Sequence, residues 1–399
     1  TVHSFCLNII REQCSFIGLN PDFRIADEGE IAEIKQEAIE TALENGYESG
    51  DEGFLLLSDM LSAGRDDKRF SDVVLEIFDK IQSHADPDEF LSEVENMFIK
   101  QNGADMHKAI LLEEAKNAAQ YGLECIKIAL SELETEPDLQ NAYQDAFNDD
   151  LQNATKLINA INTDWESAIK TACEIKNARL GTIRGYEDKD FQEYIKNLRD
   201  EWKTNLEKIK SRLICQDDEE HQKSAQLIAP AMKALIFTVR QFASIFAEEK
   251  LKRNAVDFND LEHFAVKLLI KDGKPTPLAL EIASGFDEIM VDEYQDSNSV
   301  QEAIFNAVSK NGKNLFFVGD VKQSIYGFRL ANPYIFLAKY QSWQDREIAQ
   351  DGQPRKLNLT RNFRSRKQVL EATNYIFENI MPKALGDLDY TEKEALYTG

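Results

Sequence analysis

The stretch that most constrains the fold of this chain is the short run 287–291, charged at its first two residues and apolar after them, followed at once by Asp292 and Glu293. The run is too short for a helix and apolar enough to be buried on both faces, so it predicts a strand of a parallel sheet. Ligands of open α/β sheets bind at the carboxyl ends of the strands. Two carboxylates there predict a Mg²⁺ ligand, Asp292, beside a water-activating group, Glu293. A solvated acidic turn is the alternative, because 71 of the 399 residues are acidic.

A helix and a second strand are predicted to follow. Asn298 and Gln301 resemble a capping box at a helix start. An apolar stripe continues along one face of this helix, at Val300, Ile304 and Val308. The run 315–318 then predicts another buried strand, which leads into residues 319–329. Because a strand, a crossover helix and a second strand form a right-handed parallel unit, residues 319–329 are expected to lie at the same sheet edge as Asp292.

The long segment before these strands has a helical pattern almost throughout. Residues 228–246 illustrate it, because apolar side chains recur there every three or four positions. Pro230 is expected in the first turn of that helix, where proline is tolerated. No repeat of fixed period and no catalytic constellation is visible. The segment therefore predicts one irregular, all-helical domain inserted into an α/β domain.

Five short motifs resemble, in order and spacing, those of the UvrD/Rep-like superfamily-one helicases. Residues 292–296 (Asp-Glu-Tyr-Gln-Asp), 318–329 (Val-Gly-Asp-Val-Lys-Gln-Ser-Ile-Tyr-Gly-Phe-Arg) and 357–365 (Leu-Asn-Leu-Thr-Arg-Asn-Phe-Arg-Ser) resemble motifs II, III and IV. Residues 1–5 resemble motif Ib, and residues 257–261 resemble motif Ic. The variants most resemble the AddA (RexA) type of bacterial ATP-dependent helicase/nuclease, one of the two components of the AddAB (RexAB) complexes.

The resemblance implies roles in ATP hydrolysis for residues at the nucleotide site. Asp292 and Glu293 would bind Mg²⁺, and Glu293 would also orient or deprotonate the attacking water. Gln323 would sense the γ-phosphate or that water. Arg364 would act as an arginine finger on transition-state charge. A solvated Arg at a helix start is its alternative, and Ser365 with Gln368 predicts a capping box just after it.

Further residues are implied in coupling and in DNA binding. Gln295 and Asp296 would couple the nucleotide site to neighbouring motifs. Single-stranded bases would stack on two aromatic residues, an Arg would contact the adjacent phosphate, and three residues at 3–5 would line the same DNA track. These DNA-binding residues are Tyr326, Phe328, Arg329, His3, Ser4 and Phe5. Ordinary core packing is the alternative for the two aromatic side chains.

The implied fold is an incomplete RecA-like motor domain of the P-loop NTPase class, which is an α/β fold with a parallel sheet. Residues 1–15 would belong to motor domain 1A, and residues 16–250 would form the helical insertion, like domain 1B. Domain 1A would resume at 251–350 with motifs Ic, II and III, and 351–399 would begin the second motor domain, 2A.

One family motif has no counterpart in this sequence. A Gly-x-x-x-x-Gly-Lys-Ser/Thr loop, which cradles phosphates, occurs nowhere in the 399 residues. We therefore expect an internal fragment that hydrolyses ATP poorly or not at all by itself.

Charge is distributed unevenly along the chain. The formal net charge is −25, yet residues 312–370 carry eleven Lys or Arg against four Asp or Glu. A basic motor face would confine DNA to the groove lined by the motifs, although single basic residues can merely solvate a surface.

Cysteine spacing and hydropathy exclude other classes of protein. The five cysteines lack Cys-x-x-Cys spacing, which argues against a zinc site or a disulfide framework. No apolar run approaches the roughly 18 residues that a membrane span needs, and no signal peptide is visible. A soluble, cytoplasmic protein without membrane contact is expected.

The resemblance implies part of an ATP- and Mg²⁺-dependent translocase that moves 3′ to 5′ on single-stranded DNA and unwinds duplex DNA. The whole protein would process ends in double-strand-break repair and recombination, as helicase and exonuclease, with a second subunit of the AddB/RexB type. One alternative is a non-catalytic scaffold with a helicase fold that binds DNA or a partner. Another is a UvrD-type repair helicase without a nuclease.

Overall fold

The computed structural model describes residues 1–62, 66–99, 102–183, 185–214, 218–381 and 390–399. These described residues form fifteen α-helices and ten short β-strands. The helices are α1 Val2–Gln13, α2 Glu28–Ser49, α3 Glu52–Ser62, α4 Lys68–Ile81, α5 Pro87–Ile99, α6 Asn102–Leu133, α7 Pro137–Ile161, α8 Trp165–Glu174, α9 Lys189–Lys208, α10 Asp218–Lys252, α11 Phe258–Leu269, α12 Pro277–Ser284, α13 Ser299–Ala307, α14 Pro333–Ser342 and α15 Lys367–Ile380. The strands are β1 Arg24–Ile25, β2 Ala255–Val256, β3 Ile270–Lys271, β4 Lys274–Pro275, β5 Ile289–Val291, β6 Leu315–Phe317, β7 Gln344–Asp345, β8 Arg355–Lys356, β9 Arg361–Asn362 and β10 Tyr397–Thr398.

The chain divides into two compact units. The first contains residues 1–27, 80–86 and 251–399, and the second contains residues 28–79 and 87–250. All strands of the described chain lie in the first unit, and the second unit is built from helices. No helix among the described residues is long and apolar enough to cross a lipid bilayer.

The core of the helical unit contains a buried ion pair. Helices α6, α7, α8 and α9 pack around apolar side chains that include Phe147 and Trp202, both fully buried. Among them, Arg199 on α9 donates from Nε to Oδ2 of Asp150 on α7 at 2.5 Å. Arg199 is 2% exposed and Asp150 is 0% exposed, so each charge depends on the other for the contacts that water would otherwise supply.

The irregular segment between α8 and α9 is tied to the helices beneath it. The Arg199 guanidinium donates to the Ala178 carbonyl at 2.7 Å, and Lys210 Nζ donates to the Ile175 carbonyl at 2.8 Å. The indole nitrogen of Trp202 donates to Asn177 Oδ1 at 3.1 Å. Side chains from α9 and the short π-helix 209–213 that follows it thus satisfy two backbone carbonyls and one side-chain oxygen that would otherwise need water.

Pro230 does not lie in the first turn of its helix, so that prediction is wrong. Helix α10 begins at Asp218, and Pro230 occupies its interior, where the ring removes one intrahelical hydrogen bond. The apolar periodicity begins only at 228 and conceals the more polar first turns. In the same unit, the Pro230 carbonyl lies against Gly53 of α3, where a Cβ would come within 2.6 Å of the oxygen.

The core of the first unit lies among α1, α11, α12 and α13. Helix α11 starts at a complete capping box, in which Asp257 and Asp260 each accept the other's backbone N–H at 2.8 Å. The stripe predicted for α13 is buried here, since Val300, Ile304 and Val308 are at most 2% exposed. Asn298 caps α13 as predicted, accepting from the Gln301 N–H at 2.9 Å. The predicted capping box is not completed, because the Gln301 side chain donates to Glu262 Oε1 at 2.8 Å.

Strands β5 and β6 pair in parallel and flank α13, as predicted. Val291 pairs with Phe317, so both strands end at the same edge. The prediction of burial on both faces is wrong, because Met290 is 69% exposed and its partner Phe316 is 59% exposed. Within the described residues these two strands pair only with each other, and no layer covers the face that carries Met290 and Phe316.

The remaining strands also form two-stranded sheets. In the described chain, β1–β2, β7–β8 and β9–β10 are parallel, and β3–β4 is an antiparallel hairpin. The molecule is therefore mostly helical with small parallel sheets.

Candidate functional site

The acidic pair follows β5 directly and is held in an unusual turn. Glu293 has φ 52°, in the left-handed region that residues with a side chain rarely occupy. Its N–H donates to Asp292 Oδ1 at 3.0 Å, which helps to hold the turn. Both side chains are exposed at the strand end. A strained backbone of this kind persists only where surrounding contacts hold it, and it is typical of functional sites.

Gln295 connects the turn to the loop after β6. Its side chain is buried, and Nε2 donates to Glu293 Oε2 at 2.7 Å. Its Oε1 accepts the Asp320 N–H at 3.0 Å. The two strand ends are also joined through the backbone, since the Tyr294 N–H donates to the Val318 carbonyl at 2.9 Å. One buried amide therefore fixes both the Glu293 carboxylate and the second loop.

Gly319 makes this contact possible because it has no side chain. A Cβ at Gly319 would lie 2.5 Å from Gln295 Oε1 and 3.2 Å from the backbone nitrogens of Gln295 and Tyr294. Any larger residue would have to displace the amide that holds Glu293.

The loop after β6 has its own polar centre at Asp320. Burial opposes the charged form, but hydrogen bonds from Lys322 and Gln323 outweigh it and hold the pKa of Asp320 below its usual value. Lys322 Nζ lies 2.8 Å from Asp320 Oδ1, and Gln323 Nε2 donates to Oδ2 at 3.1 Å. Asp320 thus stays ionised and orients Gln323, which is exposed. The predicted juxtaposition of this loop with Glu293 is confirmed through Gln295.

Asp296 carries an unsatisfied buried oxygen. Among the described residues, Asp296 Oδ1 is the buried side-chain atom without a hydrogen-bond partner. Burial, and then the charge of Glu293, raise the pKa of Asp296. A proton or a donor arriving from outside these residues would satisfy this oxygen.

The donor set suits Mg²⁺ bound together with phosphates. No cluster of three or more His, Cys, Asp or Glu in the described chain could hold a metal by itself. Mg²⁺ does not require one, because it is usually bound through one or two carboxylates, waters and substrate phosphates. Asp292 is exposed at the strand end, and only its Oδ1 accepts a hydrogen bond from the described residues. The residues present therefore fit a Mg²⁺–nucleotide ligand.

An exposed aromatic pair with an Arg follows the loop. The rings of Tyr326 and Phe328 have centroids 5.8 Å apart, and the Arg329 guanidinium lies 5.2 Å and 5.7 Å from them. Phe328 is 76% exposed and Tyr326 is 36% exposed, so core packing does not explain them. Flat rings beside a cation form a surface on which bases can stack.

Arg364 is not brought into contact with the acidic turn. It follows β9 as an exposed residue, and its N–H donates to Asn362 Oδ1 at 2.9 Å. The predicted capping box is wrong, because α15 is capped at Arg366 without a side-chain hydrogen bond. Asn362 also accepts the Ser365 N–H at 2.9 Å, so this Asn, and not a capping box, shapes the turn.

The predicted residues of α1 lie at a separate position in the unit. His3 Nε2 is 3.3 Å from Glu262 Oε1, and its ring meets Phe258 edge-on at 5.3 Å. Ser4 is exposed beside the N-cap, while Phe5 is half-buried. None of these three side chains contacts the Tyr326 pair in the described residues.

Sequence reasoning missed two residues behind the acidic turn. Glu302 on α13 accepts a hydrogen bond from the Tyr294 hydroxyl and lies 2.7 Å from Lys339 Nζ of α14. Lys339 is 37 positions beyond Glu302. No local spacing signal connects such distant residues, although the charge and helical position of each could be read from the sequence.

Comparison with known proteins shows which family the chain resembles. Residues 1–344 match the family model described as the UvrD/REP helicase N-terminal domain. A protein named as an ATP-dependent helicase/nuclease subunit, from Acetivibrio thermocellus, is 38% identical over all of this chain and 33% of its own length. Proteins of the same name from Clostridium novyi and Clostridioides difficile are 37% and 35% identical, again over the whole chain and 33% and 32% of their own lengths. The chain thus spans about a third of the length of these relatives.

Proposed function

This chain belongs to the UvrD/REP helicase family, and from that membership we propose that it supplies the catalytic carboxylates and a base-stacking surface of an ATP-driven DNA translocase. The observation that carries the proposal is the buried Gln295 amide. It joins Glu293 after one strand to the Asp320 loop after the next. Two polar loops held together at one sheet edge suit phosphoryl transfer, because that reaction depends mainly on positioning and charge.

Each residue at this edge has a distinct proposed role. Asp292 and Glu293 would hold Mg²⁺, which would supply charge that offsets the phosphates of ATP. Glu293 also orients or deprotonates the attacking water, and the bond from Gln295 keeps its carboxylate in place. Gln323, oriented by Asp320, senses the γ-phosphate or the water. Asp296 takes part in coupling, because its unsatisfied oxygen is available to a donor.

Arg364 is proposed as the arginine finger. It is exposed and has no side-chain partner among the described residues, so its cation is available to an anion. The turn made by Asn362 fixes the backbone from which Arg364 projects. It is proposed to reach transition-state charge when ATP is bound and to help hold the nucleotide.

The proposed DNA-binding surface consists of two parts. Tyr326 and Phe328 stack on single-stranded bases, and Arg329 contacts the adjacent phosphate. His3, Ser4 and Phe5 form the second part on α1. The excess of basic residues between 312 and 370 favours DNA on this unit.

For the domains, we propose a RecA-like motor of the P-loop class, interrupted by a helical insertion. Residues 1–15 and 251–350 belong to domain 1A, residues 16–250 form the insertion, and 351–399 begin domain 2A. The parallel β5–α13–β6 unit supports a motor domain, and the helices of the second unit, residues 28–79 and 87–250, support an insertion within 16–250.

For the whole protein, we propose the activity in the relatives' name, that of an ATP-dependent helicase/nuclease. It would move 3′ to 5′, work with a second subunit, and process DNA ends for double-strand-break repair and recombination. A phosphate-cradling Gly-x-x-x-x-Gly-Lys-Ser/Thr loop is not present in these 399 residues. The 399-residue chain by itself should therefore turn over little ATP.

ATP hydrolysis by the full-length protein tests the proposal directly. We expect single-stranded DNA to stimulate turnover at least tenfold, because stacking on the aromatic pair and charge at the acidic turn act in one motor. Phosphate release is measured with and without an oligonucleotide, and the 399-residue chain serves as a comparison. DNA binding without any ATP turnover by the full-length protein would instead establish a scaffold with a helicase fold.

Loss of the exposed ring should weaken DNA binding. In Phe328→Ala, we expect the affinity of the full-length protein for single-stranded DNA to fall by about 1–3 kcal/mol, the usual contribution of one stacked base. Fluorescence anisotropy with a labelled oligonucleotide measures this change. Phe237→Ala is the matched control, since that ring is 62% exposed on the helical unit and should leave the affinity unchanged. Equal affinities of the two variants for single-stranded DNA would show that Phe328 does not take part in binding.

A further inference from the structure

A cation, a carboxylate and aromatic rings form a cluster directly behind the acidic turn. Tyr294 is 1% exposed, and its ring stacks on Phe317 with centroids 4.0 Å apart. Its hydroxyl donates to Glu302, which is also paired with Lys339 at 2.7 Å. Lys339 Nζ lies 5.8 Å, 5.3 Å and 5.7 Å from the ring centroids of Tyr294, Phe317 and Trp343.

The charges in this cluster stabilise one another. The Glu302 and Lys339 side chains are 17% and 21% exposed, so the pair is largely shielded from water. The Tyr294 hydroxyl donates to the Glu302 carboxylate, which as an anion only accepts hydrogen bonds. The positive charge of Lys339 is also attracted to the electron-rich faces of the three rings. Removing that charge would loosen Glu302 and the Tyr294 hydroxyl together.

The cluster is connected along the chain to both proposed functional surfaces. Tyr294 is adjacent in sequence to Glu293, whose left-handed backbone needs support from its surroundings. Lys339 lies on α14, the helix that follows the exposed segment 326–329. At the start of α14, the Asn332 N–H donates to the Ser297 carbonyl at 2.9 Å, which gives α14 a second contact with the end of the acidic turn.

We propose that Tyr294, Glu302 and Lys339 are positioning residues that transmit DNA binding at segment 326–329 to the catalytic turn at Glu293. This inference rests on the proposed function. Binding of DNA to the aromatic pair constrains the chain that enters α14. The Lys339–Glu302 pair then holds Tyr294, and Tyr294 holds Glu293 in the conformation that activates water. Such a continuous chain of packed and hydrogen-bonded groups is able to carry energetic coupling between two sites.

The variant Lys339→Met in the full-length protein tests the transmission. Methionine retains an unbranched apolar side chain and removes the charge. We expect ATP turnover at saturating single-stranded DNA to fall by about tenfold, within the usual range of coupling between sites. Turnover without DNA, the KM for ATP and the Kd for the oligonucleotide should stay within about twofold of wild type, because no binding group is removed. Lys339→Arg keeps the charge and should retain most of the stimulation.

Two further variants separate transmission from folding. Tyr294→Phe removes only the hydroxyl, keeps the stacked ring, and should also lose stimulation. Lys274→Met removes an exposed Lys of the same unit, outside residues 312–370, and should behave as wild type. Full stimulation in both Lys339→Met and Tyr294→Phe overturns the inference, as does an equal loss of basal and stimulated turnover, which indicates a purely structural role. A wild-type protein that DNA does not stimulate contradicts the proposed function itself, and the inference with it.

Discussion

The variant Glu293→Gln should lose DNA-stimulated ATP hydrolysis almost completely. Glutamine has the shape of glutamate, and its amide oxygen can still accept the bond from Gln295 Nε2, which is 2.7 Å long in the wild type. It cannot take a proton from water or contribute a negative charge to a Mg²⁺ site. We expect turnover to fall by about 10²–10⁴-fold, the usual contribution of a positioned general base. Steady-state phosphate release by the full-length protein at saturating DNA measures this loss.

Two further measurements make this result specific. Affinity for single-stranded DNA should remain at the wild-type level, because the aromatic pair and Arg329 are unchanged. Glu288→Gln is the matched control, since Glu288 is an exposed acid just before the same strand and should leave turnover intact. Wild-type hydrolysis by Glu293→Gln would show that another group activates the water.

The second large effect is expected on stability, at the ion pair inside the helical unit. Asp150→Ala leaves the Arg199 guanidinium at 2% exposure without its carboxylate. We expect the free energy of unfolding to fall by about 3–5 kcal/mol, the usual cost of an unpaired buried charge. Urea denaturation of the 399-residue chain, followed by circular dichroism, measures the change.

A double variant distinguishes the charge from the packing. Asp150→Leu combined with Arg199→Met replaces the pair by apolar groups and should recover most of the lost stability. Glu219→Ala removes the acidic partner of an exposed pair with Lys223 and should have little effect. A small loss in Asp150→Ala would mean that water reaches Arg199 and solvates it.

The β5–α13–β6 unit could be predicted because its signals are local. The Asn298 cap and the stripe through Val300 and Ile304 each depend on residues at most four positions apart, and both are confirmed. Parallel pairing then places the ends of both strands at one edge, which is why Glu293 and Asp320 meet through Gln295. The helix cap, the apolar stripe and the parallel pairing each follow from the sequence by a physical rule.

Features that depend on distant neighbours could not be predicted in this way. The exposure of Met290 is set by the absence of a covering layer among the described residues, which no property of the strand itself reveals. The pairing of Glu302 with Lys339 requires α13 and α14 to be placed in three dimensions first. The turn before α15 differs from the predicted capping box because Asn362 accepts the N–H groups of the two residues that precede Arg366.

The tethered segment between α8 and α9 has a consequence for how this family can diverge. Arg199 and Lys210 hold it by the carbonyl oxygens of Ala178 and Ile175, which every amino acid possesses. The helices below therefore hold part of its backbone path, in addition to the contacts made by its own Ile175 and Asn177 side chains. Exposed positions such as Arg179 can change their chemistry between related proteins while the backbone keeps its course. The segment is thus a place where new surface properties can evolve without a new fold.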